Sequence, residues 1–288
     1  MTNQILKDKV AVITGGSRGL GLAIAQTYAR AGANVVIASR SPRSVDLAVD
    51  SLRAAGYSAV GFACDVADMA QMETLAELAI QTYGRIDIWI NNAGLSAPYG
   101  PTAHIPNADF INVINTNITG TYNGSVVAMR YFLTQKSGKL INLLGRGDKG
   151  SIALQNAYSS SKIWVRNFTK TLANEYRNSG VDIFGFNPGL VKTDMLSNVH
   201  AVKGYEEKMN PLRYVAMLWG NEADVPAEKA LWLASPATDG KNGLMVTVLT
   251  KRMMLSRLIT LPFRKLLNRS TELLPLNVTS VKSAISGD

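Results

Sequence analysis

Tyr158 and Lys162 stand four residues apart in "YSSSK". Residues i and i+4 share one face of a helix, so this spacing aims a phenol and an ammonium in the same direction. A free tyrosine titrates near 10, too high to donate and accept protons readily at neutral pH, and an adjacent cation favours the phenolate. The pair therefore predicts a general acid and base whose Tyr158 is drawn toward the working pH by Lys162. Thirteen residues before Tyr158, the apolar run Leu140-Ile141-Asn142-Leu143-Leu144 ends in "GRGDKG", with a bare Gly145 and then Arg146.

A second group of residues suits phosphate. "VAVITGGSRGLGLAIA" reads as strand, glycine turn and helix start, with Gly15, Gly19 and Gly21 in the pattern Gly-x-x-x-Gly-x-Gly. Small residues let the backbone approach a pyrophosphate at the positive end of the helix; a purely structural turn is the other reading. At the next strand end, where NAD binders place an acidic residue for the ribose 2′-hydroxyl, the chain has "IASRSPR". No carboxylate occurs between Asp8 and Asp46, while Arg18 lies in the glycine turn and Arg40 follows Ser39. Two guanidiniums and a hydroxyl suit a 2′-phosphate, so NADP(H) is expected in preference to NAD(H). Solvated surface arginines are the alternative.

Positioning these groups requires a sheet. Apolar runs of strand length recur at Val10 to Ile13, Val35 to Ala38, Ala59 to Ala63, Ile86 to Ile90, Leu140 to Leu144, Val181 to Phe186 and Leu244 to Leu249. Helical spacing fills the intervals at Leu20 to Ala31, Val45 to Ala54, Met69 to Tyr83, Ala108 to Leu133 and Ala157 to Tyr176. Strands apolar throughout, alternating with helices, predict an α/β fold: one doubly wound parallel-sheet domain of about seven strands over residues 1–250. Ligands in such sheets bind beyond the carboxyl ends of the strands, where the glycine turn, Ser39 and Gly145 all fall.

Composition is that of an ordinary globular protein, with 47% hydrophobic and 18% charged residues among 288. Cys64 is the only cysteine, so no internal disulfide forms, which suits a reducing cytoplasm; its setting in "SAVGFACDV" reads as a buried strand position. No leader-like segment and no long apolar run is seen. The net charge of +9 is concentrated in the tail, where residues 250–288 hold seven Lys or Arg and two acidic residues. That distribution argues against a basic groove for nucleic acid. His104 and His200 stand too far apart to predict a metal site.

Together these motifs resemble the short-chain dehydrogenase/reductase family across roughly residues 7–250. "TGGSRGLG" matches its cofactor turn, Asp65-Val66 the pair after the third strand, and Asn91 to Gly94 its Asn-Asn-Ala-Gly. "NTNITGTY" resembles the segment carrying the catalytic Asn117, "YSSSK" supplies Tyr158 and Lys162, and "NPGLVKT" matches the nicotinamide-holding segment through Pro188, Gly189, Val191 and Thr193. The resemblance implies a Rossmann-fold oxidoreductase whose cofactor is held by Gly15, Ser17, Arg18, Gly19, Leu20, Gly21, Ser39, Arg40, Asp65, Val66, Asn91, Ala93, Gly94, Tyr158, Lys162, Pro188, Gly189, Val191 and Thr193. It further implies hydride delivery to a carbonyl carbon with Tyr158 as proton donor. Lys162 would also hold the nicotinamide ribose, and Asn117 would position a relay water. Family members are often dimers or tetramers built through the long helices, so a homodimer or homotetramer is expected.

The family's fourth catalytic group is a serine, and the aligned position here is Gly145. Losing one donor to a developing oxyanion typically costs about 10²–10³ in rate. Three explanations stand open: backbone N–H groups and Arg146 substitute; the substrate activates itself; or catalysis is lost and a nucleotide-binding or scaffold protein remains. Gly145, Arg146 and Met195 are accordingly candidate substrate contacts. Residues 194–222 should form a substrate lid, with Met195, Leu196, Met209, Met217, Leu218 and Trp219 lining a pocket or forming core. Residues 251–288 read as a basic amphipathic extension, whose stretch 251–270 either contacts an acidic membrane surface or packs on a neighbouring subunit.

Overall fold

The computed structural model describes residues 4–263 and 272–285. Its strands are β1 (Val10–Thr14), β2 (Asn34–Ser39), β3 (Ala59–Ala63), β4 (Ile88–Asn91), β5 (Gly138–Leu143), β6 (Val181–Asn187), β7 (Asn198–Val202), β8 (Met245–Thr247) and β9 (Asn277–Val281). Seven of them form one sheet in the order β3-β2-β1-β4-β5-β6-β8, all neighbours parallel. The chain winds outward from β1 to β3, then restarts on the other side of β1 with β4. That reversal opens a crevice between the ends of β1 and β4, the place where such sheets take ligands.

Alternation within each strand explains why both faces are buried. In β1, Ile13 packs with Ile24, Tyr28, Ile37 and Phe184 on one side. Its neighbour Val12 packs with Val36, Met72, Trp89 and Phe132 on the other. A strand covered on both faces must be apolar at successive positions, which is the pattern the sequence carries. Cys64, just past β3, is buried in the second of these clusters, and its thiol is pushed up to about 12, chiefly by burial.

The helices flanking the sheet start at identifiable signals. They are α1 (Gly19–Arg30), α2 (Pro42–Ala54), α3 (Met69–Tyr83), α4 (Asn107–Ile114), α5 (Gly120–Gln135) and α6 (Asn156–Glu175). Ser41 caps α2 ahead of a proline in its first turn, and Asp68 caps α3, which closes on Gly84 at φ 79°. The expected helix from Ala108 to Leu133 is interrupted by a π-helical turn, Asn115–Thr119, that puts Asn117 at the bulge. Single π turns within helices are frequent at functional sites. The outward faces of this helix pair and α6 leave Ile111, Tyr122, Leu133 and Ile163 exposed.

After β6 come α7 (Asp194–Ser197), β7, α8 (Pro211–Trp219), α9 (Asp224–Ala234) and, past β8, α10 (Lys251–Ile259). Leu196, Met209 and Leu212 form a small core of their own with Val199, Ala201 and Leu276, while Met195 stays half exposed. Two of the expected pocket residues, Leu196 and Met209, thus lie in the interior of this segment. The tail holds an unanticipated strand: β9 pairs in parallel with β7, and Lys203 N donates to Val281 O at 2.9 Å. α10 rests on α8 and the turn after it through Trp219 Nε1, which donates to Met254 O, and Arg257, which donates to Asn221; Leu255, Leu258 and Ile259 of α10, and Phe263 beyond it, are exposed. Among the described residues no helix is long and apolar enough to cross a membrane. Residues 264–270 of the expected amphipathic stretch lie outside the described residues.

Candidate active site

The crevice begins where two strand ends are stitched together. Asn92 Nδ2 donates to Thr14 O and Gly15 O at 3.0 Å each, and the Thr14 hydroxyl accepts from Asn92 N and Ala93 N at 3.1 Å. A Cβ on Gly15 would fall 2.9 Å from Ala93 Cα, and Gly15 also sits at φ 63°, so glycine is required there on both counts. From the β6 side, the Thr193 methyl comes within 3.4 Å of a Cβ placed on Gly19. Gly189 N is fixed by Asn187 Oδ1 at 2.9 Å, and Val191 bridges Asn221.

This cleft carries two unmet needs for an anion. The N-terminus of α1 has no side-chain cap and no acidic residue in its first turn, with Arg18 at the cap position, so its first N–H groups have no side-chain acceptor. At the end of β2, the Ser39 hydroxyl oxygen is buried with no hydrogen-bond partner, beside the exposed Arg40. An orphan hydroxyl next to a guanidinium suits a phosphate oxygen. These residues fit a dinucleotide with its pyrophosphate at the α1 N-terminus and its adenosine ribose at the end of β2.

Other expected cofactor residues are committed to the protein. Asn91 is buried, accepting from Trp89 Nε1 at 2.9 Å and donating to Ser125 at 3.1 Å and Asn142 at 2.8 Å. Asp65 accepts from Ala67 N at 2.9 Å. Val66 packs on Gly120, where any Cβ would strike it.

Deeper in the crevice, Asn117, Lys162 and Tyr158 converge. A Cβ on Gly94 would lie 3.5 Å from Asn117 Oδ1 and 3.8 Å from Lys162 Nζ. Asn117 is fully buried; Oδ1 accepts from Leu95 N at 2.8 Å, and Nδ2 donates to Leu95 O at 3.0 Å and Ser161 at 2.9 Å. Its amide thus clamps the loop after β4 to α6. Lys162 Nζ donates to Leu143 O at 2.9 Å and stands 5.7 Å from the Tyr158 ring centre.

The electrostatics correct the expectation drawn from the spacing alone. Burial raises the Tyr158 pKa above its ordinary value, with Tyr99 and Asp148 adding and Arg146 opposing. Burial also lowers Lys162 to about 8 against the opposing pull of Asp148. A phenolate here would lose its hydration, and that outweighs the help of a cation whose own charge burial disfavours. Near neutral pH Tyr158 is therefore a phenol.

Gly145 lies directly under this phenol. A Cβ there would press on the Tyr158 hydroxyl and sit 3.5 Å from Lys162 Cε. Gly145 has no positive φ, so its lack of a side chain serves space and not backbone conformation. Its carbonyl accepts from Asn187 Nδ2 at 3.0 Å and Asp148 N at 3.1 Å. Asp148 is buried and paired with Arg166 at 2.8 Å and Asn187 at 3.2 Å, so it is no solvated turn charge; Arg146 remains exposed. Asp148, Arg166, Tyr99 and Gln155 are site residues that the motifs did not reveal. Only the helical phase of Arg166, eight residues beyond Tyr158 on α6, offered a signal.

A family model described as short chain dehydrogenase matches residues 9–203. The diacetyl reductase ((S)-acetoin forming) of Staphylococcus epidermidis is 33% identical over 193 residues, 67% of this chain and 75% of its own. Among solved structures, the 3-ketoacyl-(acyl-carrier-protein) reductase of Brucella melitensis, complexed with NADH, is 25% identical with a TM-score of 0.76, covering 86% of this chain and 99% of that one. A gluconate 5-dehydrogenase of Burkholderia cenocepacia, in complex with NADP and tartrate, is 26% identical with a TM-score of 0.76, covering 86% and 96%.

Proposed function

Because this chain belongs to the short-chain dehydrogenase family, we propose that it is an NADPH-dependent reductase of a carbonyl or related unsaturated group in a small or medium organic substrate. The observation that carries this reading is the half-buried Tyr158 phenol seated on Gly145 with Lys162 behind it. NADPH, when bound, would supply the hydride that the carbonyl carbon accepts. Tyr158 gives its proton to the carbonyl oxygen as the bonding pair shifts onto it, leaving a phenolate beside Lys162. The Lys162 ammonium, held by Leu143 O, steadies that phenolate. Asn117 keeps the loop after β4 and α6 in register, so that Tyr158 faces the crevice. Ser39, Arg18 and Arg40 take the 2′-phosphate; the two solved relatives carry NADH in one case and NADP in the other, so these local residues decide the preference here.

Gly145 stands where the family has serine, and its role follows from space. Omitting the side chain lets the Tyr158 hydroxyl occupy that volume. Restoring serine should displace the reacting oxygen, and a misplacement of about 1 Å costs on the order of 10² in rate. The test is NADPH oxidation against ketones, diketones, quinones and imines, with Gly145→Ser alongside. Turnover that Gly145→Ser lowers about 10- to 100-fold is expected; activity present only in Gly145→Ser would mean that the native chain has given up the reaction.

The pH profile follows from Lys162. With its pKa at about 8, the ammonium is present below that value and lost above it, while Tyr158 stays protonated throughout. The kcat/KM for reduction should be level through neutral pH and decline above about 8. A rate that climbs through pH 8 would contradict the assignment.

A further inference from the structure

Arg146 is exposed at the mouth of the site, one residue beyond the glycine on which the Tyr158 hydroxyl rests. The carboxylate nearest to it in sequence, Asp148, is already taken by Arg166 and Asn187. Among the described residues Arg146 makes no hydrogen bond or ion pair. Its loop is held all the same, because Asn187 and Asp148 N fix the Gly145 carbonyl. The guanidinium is thus carried on an anchored segment with its five donors unspent.

Tyr99 and Gln155 are polar and also anchored. Tyr99 N donates to His200 O at 2.8 Å and Tyr99 O accepts from Val202 N at 2.9 Å, which ties this residue to the lid. Gly100 N donates to Leu154 O at 3.1 Å, bringing Tyr99 to the corner where Gln155 opens α6. Leu154 holds φ 66°, a conformation costly for a leucine. Gln155 is buried with Oε1 unpartnered. Arg146 opposes the effect of burial at both Tyr99 and Tyr158, so its charge reaches both phenols.

We propose that Arg146 binds an anionic group, a carboxylate or a phosphate, of the substrate, beside the carbonyl that Tyr158 protonates, with Tyr99 and Gln155 as the neutral polar wall. The substrate is then an oxo acid or an oxo phosphate in preference to a neutral ketone. This rests on the reductase reading of the same site. A planar guanidinium can grip either anion through two parallel hydrogen bonds.

The test compares acetoacetate with methyl acetoacetate and dihydroxyacetone phosphate with dihydroxyacetone, in the native protein, Arg146→Ala and Arg146→Lys. Binding of malonate and of inorganic phosphate to the NADP⁺-saturated protein is titrated in parallel. Arg146→Ala should raise KM for the anionic member about 10- to 100-fold more than for its neutral partner, with kcat less affected and Arg146→Lys recovering part of the loss. The acetoacetate and malonate arms against the phosphate arms tell which anion is meant. Turnover of the neutral members without any anion preference, abolished in Tyr158→Phe, would overturn the anion site and leave the reductase standing. Anion binding that depends on Arg146 with no turnover in any pair would do the reverse. Neither turnover nor Arg146-dependent binding would overturn both.

Discussion

Tyr158→Phe should lower NADPH-dependent reduction by about 10³- to 10⁴-fold while leaving NADPH affinity within a few-fold of the native value. General acid catalysis typically contributes about 10²–10⁴, and, on the reading that Gly145 stands at the family's serine position, this site belongs at the upper end, because no serine there would share the developing charge and the Tyr158 hydroxyl takes that space. Burial keeps Tyr158 a phenol at neutral pH, so the proton is in place although it is held more tightly than in a free tyrosine. The phenylalanine ring keeps the packing against Gly145 and removes one oxygen, so the fold should survive. Single-turnover rates and a nucleotide fluorescence titration separate the two effects. A variant that reduces substrate at an undiminished rate would remove the scheme.

What could be read from the sequence divides along a physical line. The seven-stranded sheet was legible because parallel strands buried on both faces are apolar at consecutive positions, as in Val10 to Ile13 and Leu140 to Leu144. The turn and cap signals are local too, and Gly15, Ser41 and Asp68 act where they stand. Features that depend on distant partners were hidden. β9 needs β7, 79 residues away at Asn198↔Asn277, and its only local trace is the β-branched "NVTSV". The π turn at Asn115–Thr119 alters helical phase by one residue inside an otherwise continuous pattern. Nothing near Asp148 in the sequence marks its partner, because Arg166 lies on the next helix.

The same division explains the candidate site. Spacing put Lys162 near Tyr158, and the structure agrees that they share a face; spacing is blind to burial, which reverses the predicted direction of the tyrosine's shift. Gly145 was legible as a bare position before Tyr158, but only the structure shows that the space a side chain would need there is taken by the Tyr158 hydroxyl. Arg146 was legible as a charge and not as an unpaired one, since that depends on where Asp148 has gone.

Ser39→Asp combined with Arg40→Ala should move the NADPH-to-NADH preference by about 10²- to 10³-fold in favour of NADH. Each charge-assisted hydrogen bond from Arg40 to a 2′-phosphate contributes roughly 1.5–3 kcal/mol, about one to two powers of ten in affinity. The Ser39 oxygen is buried and unpartnered, so in the native protein it can accept a bond from, or donate one to, the ribose substituent at little cost. A carboxylate in its place repels a phosphate but accepts hydrogen bonds from the free 2′-hydroxyl of NADH. Arg18 is left in place and the α1 N-terminus still meets the pyrophosphate of either cofactor, so the change should appear in the ratio of the two affinities and not as a general loss of binding. Titrating both nucleotides into the double variant measures this directly. An unchanged ratio would mean that Arg40 is a solvated charge and that the orphan hydroxyl at Ser39 is filled by something other than a 2′-phosphate.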